Sequence, residues 1–147
     1  MKVVVQRVSR AKVTVDREVT GSIGNGLLLL VGIHENDDKS IMRWVSDKIL
    51  KLRIFQDEAG KMNRSVSDIG GSLLVVSQFT IYGSVKKGTR PSFIEAAKPD
   101  VAEPLYDEMI QYLKKRSGLQ VESGSFGAMM DVELVNDGPV TIIVEKS

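Results

Sequence analysis

Short apolar runs, each closed by charged or turn-forming positions, dominate the first third of the chain. Residues 2–8 (KVVVQRV) form a β-rich run. Val13 and Val15 then alternate with Lys12, Thr14 and Asp16, as in a half-exposed strand. Asp16-Arg17-Glu18 reads as a hairpin turn. Residues 21–26 (GSIGNG) read as a loop, with Asn25-Gly26 the strong turn signal. Residues 27–33 are continuously apolar and short, which predicts a central strand buried on both faces. The period then changes. After Asp37-Asp38, which offer an N-cap or a first-turn acid, Ile41, Trp44, Val45, Ile49 and Leu52 follow as one apolar helical stripe. Its charged positions lie off that stripe, so the helix covers a sheet and Trp44 is expected in the core.

The second half repeats the alternation of strand and helix. Residues 57–61 (DEAGK) predict a turn between short strands. Gly70-Gly71 precedes the buried strand Leu73-Leu74-Val75-Val76, which ends in the polar pair Ser77-Gln78. Residues 80–91, rich in Gly, Lys, Thr and Pro, are expected as loop. Asp100 is expected to cap a helix over 101–117, with Pro104 in its first turn, Leu105, Met109, Tyr112 and Leu113 on its buried face, and Gly118 at its C-cap. Met130, Val132 and Leu134, then Val140, Ile142 and Val144, mark two final alternating runs. Asn136-Asp137-Gly138-Pro139 lies between them as a tight turn, possible with a cis peptide. The predicted architecture is one α/β domain: a mostly antiparallel sheet or barrel with two main helices packed outside.

Composition narrows the chemistry. At 147 residues with 42% hydrophobic and 27% charged positions, the chain fits one ordinary domain. Twenty Lys and Arg against 19 Asp and Glu leave a net charge of +1, so any nucleic-acid partner must meet a local patch. With no cysteine, thiol nucleophiles, thiolate metal sites and disulfides are excluded; a single histidine, His34, excludes a multi-histidine site within one chain. No cofactor and no metal are expected. No signal peptide or membrane-length apolar run is visible, so a cytoplasmic location is expected and the sequon Asn63-Arg64-Ser65 carries no meaning.

Familiar catalytic motifs are missing. Residues 83–88 have P-loop glycine spacing, but Thr89-Arg90 stands where Lys-Ser/Thr is required. There is no GxSxG elbow, and His34-Glu35 lacks the second histidine of a zinc hydrolase. A hydrolase built from these residues must work by positioning and main-chain electrostatics. Two constellations remain. In Ser77-Gln78-Phe79-Thr80-Ile81-Tyr82-Gly83 an apolar strand ends in hydroxyl and amide groups, where main-chain N–H groups leave the ladder and can hold an oxyanion. The other is Asn136-Asp137-Gly138-Pro139-Val140-Thr141. Taken singly, each also fits an ordinary strand end or hairpin loop.

Together the two segments resemble the D-aminoacyl-tRNA deacylase family, whose signatures are SQFTLYG and NxGPxT. Here they read SQFTIYG and NDGPVT. The likeness extends through QRVxxAxVxV (6–15), GxIGxGLLxLVGI (21–33), KGTRPSF (87–93) and the SFGAMMDV segment before the second signature. The resemblance implies hydrolysis of the ester between a D-amino acid and the 3′-terminal ribose of tRNA, and also of Gly-tRNA, as chiral proofreading in translation. It implies a homodimer with active sites at the interface. Gly138 and Pro139 would enter the partner's pocket in cis form and exclude L side chains with their main-chain carbonyls. Ser77, Gln78, Phe79 and Thr80 would line that pocket. Two mechanisms stay open: Thr80 as nucleophile, or the substrate 2′-OH activating water while the Phe79 N–H and Gln78 hold the oxyanion.

Supporting roles follow from the same resemblance. Arg7 would brace the Gly-Pro segment by hydrogen bonds, Asn136 would belong with it to the chiral-selection residues, and Met130 would pack beside it. Lys86, Lys87 and Arg90 would meet acceptor-end phosphates, Phe93 the terminal adenine, and Lys114, Lys115 and Arg116 could extend that track. Plain alternatives exist for several: an exposed edge-strand arginine at position 7, core packing for Met130 and Phe93, and solvated helix-end charges for 114–116. Two other functions compete: a related deacylase that edits L-alanine, and a noncatalytic module that binds the tRNA end.

Overall fold

The structure, a computed structural model, describes residues 1–147. Strand β1 (Lys2–Val15) is long enough to serve three neighbours. Its first half pairs antiparallel with β3 (Gly26–Gly32), its second half with β2 (Glu18–Ile23), and β8 (Asp131–Glu145) runs antiparallel along its other edge. The β1–β2 turn puts Asp16 and Arg17 at φ 48° and 70°, the left-handed pair that a two-residue hairpin of this twist requires.

Two crossovers add a parallel half. From β3 the chain passes through α1 (Lys39–Lys51) and the small hairpin β4 (Phe55–Gln56) and β5 (Met62–Arg64). It returns as β6 (Ser72–Ser77), parallel to β3. It then passes through α2 (Pro99–Ser117) to β7 (Val121–Ser123), parallel to β6. The sheet order is β2-β1-β3-β6-β7, with β8 on β1. The fold is therefore a single mixed sheet with two helices outside, its antiparallel part centred on β1.

The sheet curls until its two ends nearly meet at Gly21. A Cβ there would lie 2.7 Å from the Ser123 carbonyl oxygen of β7 and 3.2 Å from Glu122 Cβ. This approach keeps Gly21-Ser22-Ile23 in strand, so the expected 21–26 loop shrinks to Gly24 and Asn25. Gly21→Ala is expected to lower stability by about 1–3 kcal/mol in denaturant unfolding, because main chain must shift. Gly24→Ala, with open space around it, is expected to change little.

Alternation divides the core. Leu27, Leu29 and Val31 face the helices with Val3, Val5, Leu73 and Val75, meeting Met42, Val45 and Ile49 of α1 and Leu105, Met109 and Leu113 of α2. Leu28, Leu74 and Val76 face the other way with Val8, Val13 and Ile23. Strand β3 is thus buried on both faces, as its unbroken apolar run predicts.

Several expectations need correction. Trp44 is 41% exposed: the buried stripe of α1 is Met42, Val45 and Ile49, and Trp44 lies at its margin with Lys48 and Lys146 against the ring at 5.1 and 5.2 Å. Helix α2 starts two residues early, at Pro99, behind an N-cap Lys98 that makes no side-chain cap bond; Asp100 lies within the first turn. Proline's fixed φ and missing N–H suit it to that start. Residues 79–82 form a 3-10 turn rather than open loop. The last two runs are one continuous strand, not a hairpin. Asn136 to Pro139 is a bulge within β8, where pairing jumps from Val8↔Asn136 to Gln6↔Thr141.

Candidate active site

The polar end of β6 is held by its neighbours. Tyr106 of α2, buried, donates its hydroxyl to the Val75 carbonyl at 2.8 Å, and Gln78 N–H donates to the Val31 carbonyl at 2.8 Å. Burial pushes the Tyr106 and Tyr82 phenols upward, so both remain protonated and neither is a base at neutral pH. Gln78 Nε2 donates to Thr80 Oγ1. The Phe79 and Thr80 N–H groups donate to no protein acceptor, which leaves two main-chain donors at the strand end. Phe79, 57% exposed, meets Phe93 edge to face at 5.2 Å.

Phe93 arrives there because Ser84 and Ser92 exchange both main-chain hydrogen bonds, at 2.8 and 2.9 Å, and close the intervening loop at its base. Lys86, Lys87 and Arg90 stand exposed on that loop. The structure therefore brings Ser77, Gln78, Phe79, Thr80 and Phe93 together, with the three cations on the loop joining them. His34 is no free base through Nδ1, which accepts the Asn36 N–H at 3.1 Å; its ring packs on Tyr82 at 5.4 Å.

The second constellation is equally well braced. Gly138 has φ 124° and a cis bond to Pro139. A Cβ at Gly138 would lie 2.9 Å from Val140 Cγ2 and 3.0 Å from Arg7 Nη2. The Asn136 side chain spans the bulge: Oδ1 accepts the Val140 N–H at 3.2 Å and Nδ2 donates to Thr141 Oγ1 at 3.0 Å. Asparagine and threonine at the ends of NDGPVT thus clamp the segment between them.

Arg7 is not an exposed edge arginine. It is buried, donates Nη1 to the Ile54 carbonyl at 2.7 Å and Nε to the Asp137 carbonyl at 3.1 Å, and lies 3.4 Å from the Asp137 carboxylate. Asp137 and Ile54 escaped the sequence reading. The signal available was an arginine within a valine-rich strand, where a buried charge demands partners. Met130 packs half-buried on the cluster of Val8, Val13 and Leu28.

The two constellations do not meet within one protomer. Gly138 and Pro139 lie beside Arg7 and so level with Leu27 near the start of β3, whereas Ser77 is level with Val31 at its end. From Leu27 to Val31 a strand advances about 13 Å, and β1 and β3 stand between β8 and β6.

Known proteins share this layout. A structure described as c-Myc DNA unwinding element binding protein superposes with TM-score 0.94 at 44% identity, covering 100% of this chain and 99% of the other. A probable eukaryotic D-amino acid tRNA deacylase, 18% identical, shares the fold with TM-score 0.83 over 97% of each chain. The class so defined is that of a single near-closed mixed sheet with two helices packed outside. Two D-aminoacyl-tRNA deacylases, from Geobacillus sp. (strain WCH70) and Brevibacillus brevis, are each 59% identical over 99% of this chain, covering 95% and 100% of theirs. The family model for D-Tyr-tRNA(Tyr) deacylase matches residues 4–145, and the chain belongs to that family. No helix is long and apolar enough to cross a membrane.

Proposed function

We propose that the protein hydrolyses the ester of D-aminoacyl-tRNA, and of Gly-tRNA, as a homodimer whose pockets each take parts from both protomers. The observation that carries this reading is the separation of the two family signatures to opposite ends of one rigid sheet. Each is locally ordered, and neither is complete alone. A second copy, turned end for end, supplies Gly138 and Pro139 to the pocket formed by Ser77, Gln78, Phe79 and Thr80. Rigid main-chain carbonyls at Gly138 and Pro139 exclude an L side chain without selecting any particular D side chain. Glycine has nothing to exclude.

Arg7 and Asn136 hold the filter, and Met130 supports the strand beside it. The unpartnered Phe79 N–H and the Gln78 amide stabilise the oxyanion. The Thr80 hydroxyl is engaged by Gln78 and has no base beside it, which favours attack by water assisted by the substrate 2′-OH. Lys86, Lys87 and Arg90 meet phosphates near the tRNA 3′ end, and Phe93 flanks the terminal base. No cofactor enters this scheme, and the cytoplasm is the compartment in which such a substrate occurs.

Single-turnover deacylation tests the reading. D-Tyr-tRNA is expected to be cleaved and L-Tyr-tRNA spared; cleavage of the L ester overturns the filter. The same D-Tyr-tRNA ending in 2′-deoxyadenosine is expected to react at least about 100-fold more slowly, since the assisting hydroxyl is gone. Equal rates would exclude 2′-OH assistance and return the role to Thr80.

A further inference from the structure

A second charged surface lies far from Ser77, at the opposite end of the sheet. Both crossover helices return there: α1 and α2 leave the C-terminal ends of β3 and β6 and finish where β6 and β7 begin. Their last turns carry Lys48 and Lys51, and Lys114, Lys115 and Arg116. Between them and the 53–68 segment opens a cleft of about 530 Å3, lined by Lys51, Arg53, Arg116, Asn63, Ser65 and Ser67 together with Asp47 and Asp68.

The two acids are already engaged. Asp47 accepts the Tyr112 hydroxyl at 2.9 Å and Arg116 Nε at 3.3 Å. Asp68 accepts the Ser65 N–H at 2.8 Å, a bond that holds its carboxyl below the usual range. Of the cations, Arg116 is paired with Asp47 through Nε alone, and the other two are less committed. Lys51 has no carboxylate partner, and Arg53 uses only Nε, on the Asn63 carbonyl at 3.2 Å. Complementing the helix dipoles accounts for each helix end separately. It does not account for two ends, Arg53 and two serines converging on one open cleft.

Position gives the cleft its use. Residue 54, next to Arg53, accepts the Arg7 guanidinium that also holds Asp137, so the cleft and the Gly138–Pro139 bulge share one end of the protomer. Whatever receives that bulge has this cleft nearby. Resting on the function proposed above, we propose that Lys51, Arg53 and Arg116 bind backbone phosphates of the tRNA acceptor arm in trans: the tRNA whose aminoacyl end occupies one protomer's Ser77–Thr80 pocket lies across the cleft of the other protomer. Lysine and arginine beside hydroxyl donors suit phosphate oxygens and read no base.

The test compares two substrates on the full-length protein: D-Tyr-tRNA, and D-tyrosyl-adenosine, which lacks the acceptor arm. Lys51→Glu and Arg116→Gln are expected to raise KM for D-Tyr-tRNA by about fivefold or more, and Lys51→Gln to reduce the salt slope of kcat/KM by about 1. All three should leave D-tyrosyl-adenosine cleavage unchanged. Unchanged tRNA kinetics and salt slope overturn the proposal, as does equal loss on both substrates. Heterodimers decide the direction. One protomer carries Gln78→Ala, which disables its pocket, and the other carries Lys51→Glu. Binding in trans gives the working pocket a wild-type cleft and a wild-type KM; a raised KM overturns the trans assignment. A wild-type protein that cleaves neither D substrate would instead sink the function itself.

Discussion

Arg7→Met is expected to lower kcat/KM for D-Tyr-tRNA by about 100-fold, the scale of loss when a pre-organised group shifts by an ångström. Methionine fills similar space but donates nothing. The Ile54 and Asp137 carbonyls then lose the guanidinium that ties them together, and the bulge carrying Gly138 and Pro139 is freed from β1. Unfolding free energy should fall by about 1–3 kcal/mol, the cost of leaving a buried acceptor unpaired. Arg7→Lys is expected to restore only part, because one ammonium cannot reproduce a planar fork facing two carbonyls. Stability and activity should separate in these variants: D-Tyr-tRNA cleavage falls further than the folded fraction, and discrimination against L-Tyr-tRNA weakens. Full activity in Arg7→Met would remove the residue from the support of the filter.

Asp37→Asn should produce the largest loss of stability, about 3–5 kcal/mol, with the thermal midpoint lowered by about 10 °C. The Met1 ammonium is buried against Asp37 Oδ1 at 2.6 Å and also donates to the Lys146 carbonyl at 2.7 Å. Asp37 Oδ2 accepts the His34 N–H at 2.7 Å, so one carboxylate fastens the start of β1 to the end of β3. Asparagine keeps the shape and removes the charge, leaving an ammonium without its counter-ion in the core. Glu133→Gln breaks the exposed Lys12–Glu133 pair at 3.4 Å and is expected to change stability by less than about 1 kcal/mol. Guanidinium and thermal unfolding of both variants check the contrast.

Much of this architecture is legible along the chain because burial repeats with a period. The run over 27–33 marks β3, and Asp38 caps α1 through the Ile41 N–H as its position before the apolar stripe predicts. What is not legible is direction. Gly138-Pro139 carries every local signal of a hairpin, yet β8 continues straight along β1, because pairing with a strand 130 residues away decides where the chain goes. Trp44 fails for a related reason: the stripe fixes the covered side of α1 but not how wide the cover is.

The candidate site divides in the same way. SQFTIYG and NDGPVT are readable as patterns, and Asn136 and Thr141 prove to be the two ends of one clamp. The burial of Arg7 depends on the carbonyls of Ile54 and Asp137, which no spacing rule reaches. Nor does spacing tell that the signatures stand at opposite ends of β3.

That last arrangement gives the proposed enzyme an unusual dependence. Bending cannot bring the two signatures of one protomer together without tearing β1 from β3. Turnover per mole of chain should therefore obey mass action between subunits, falling off on dilution below the self-association constant and returning when the solution is reconcentrated.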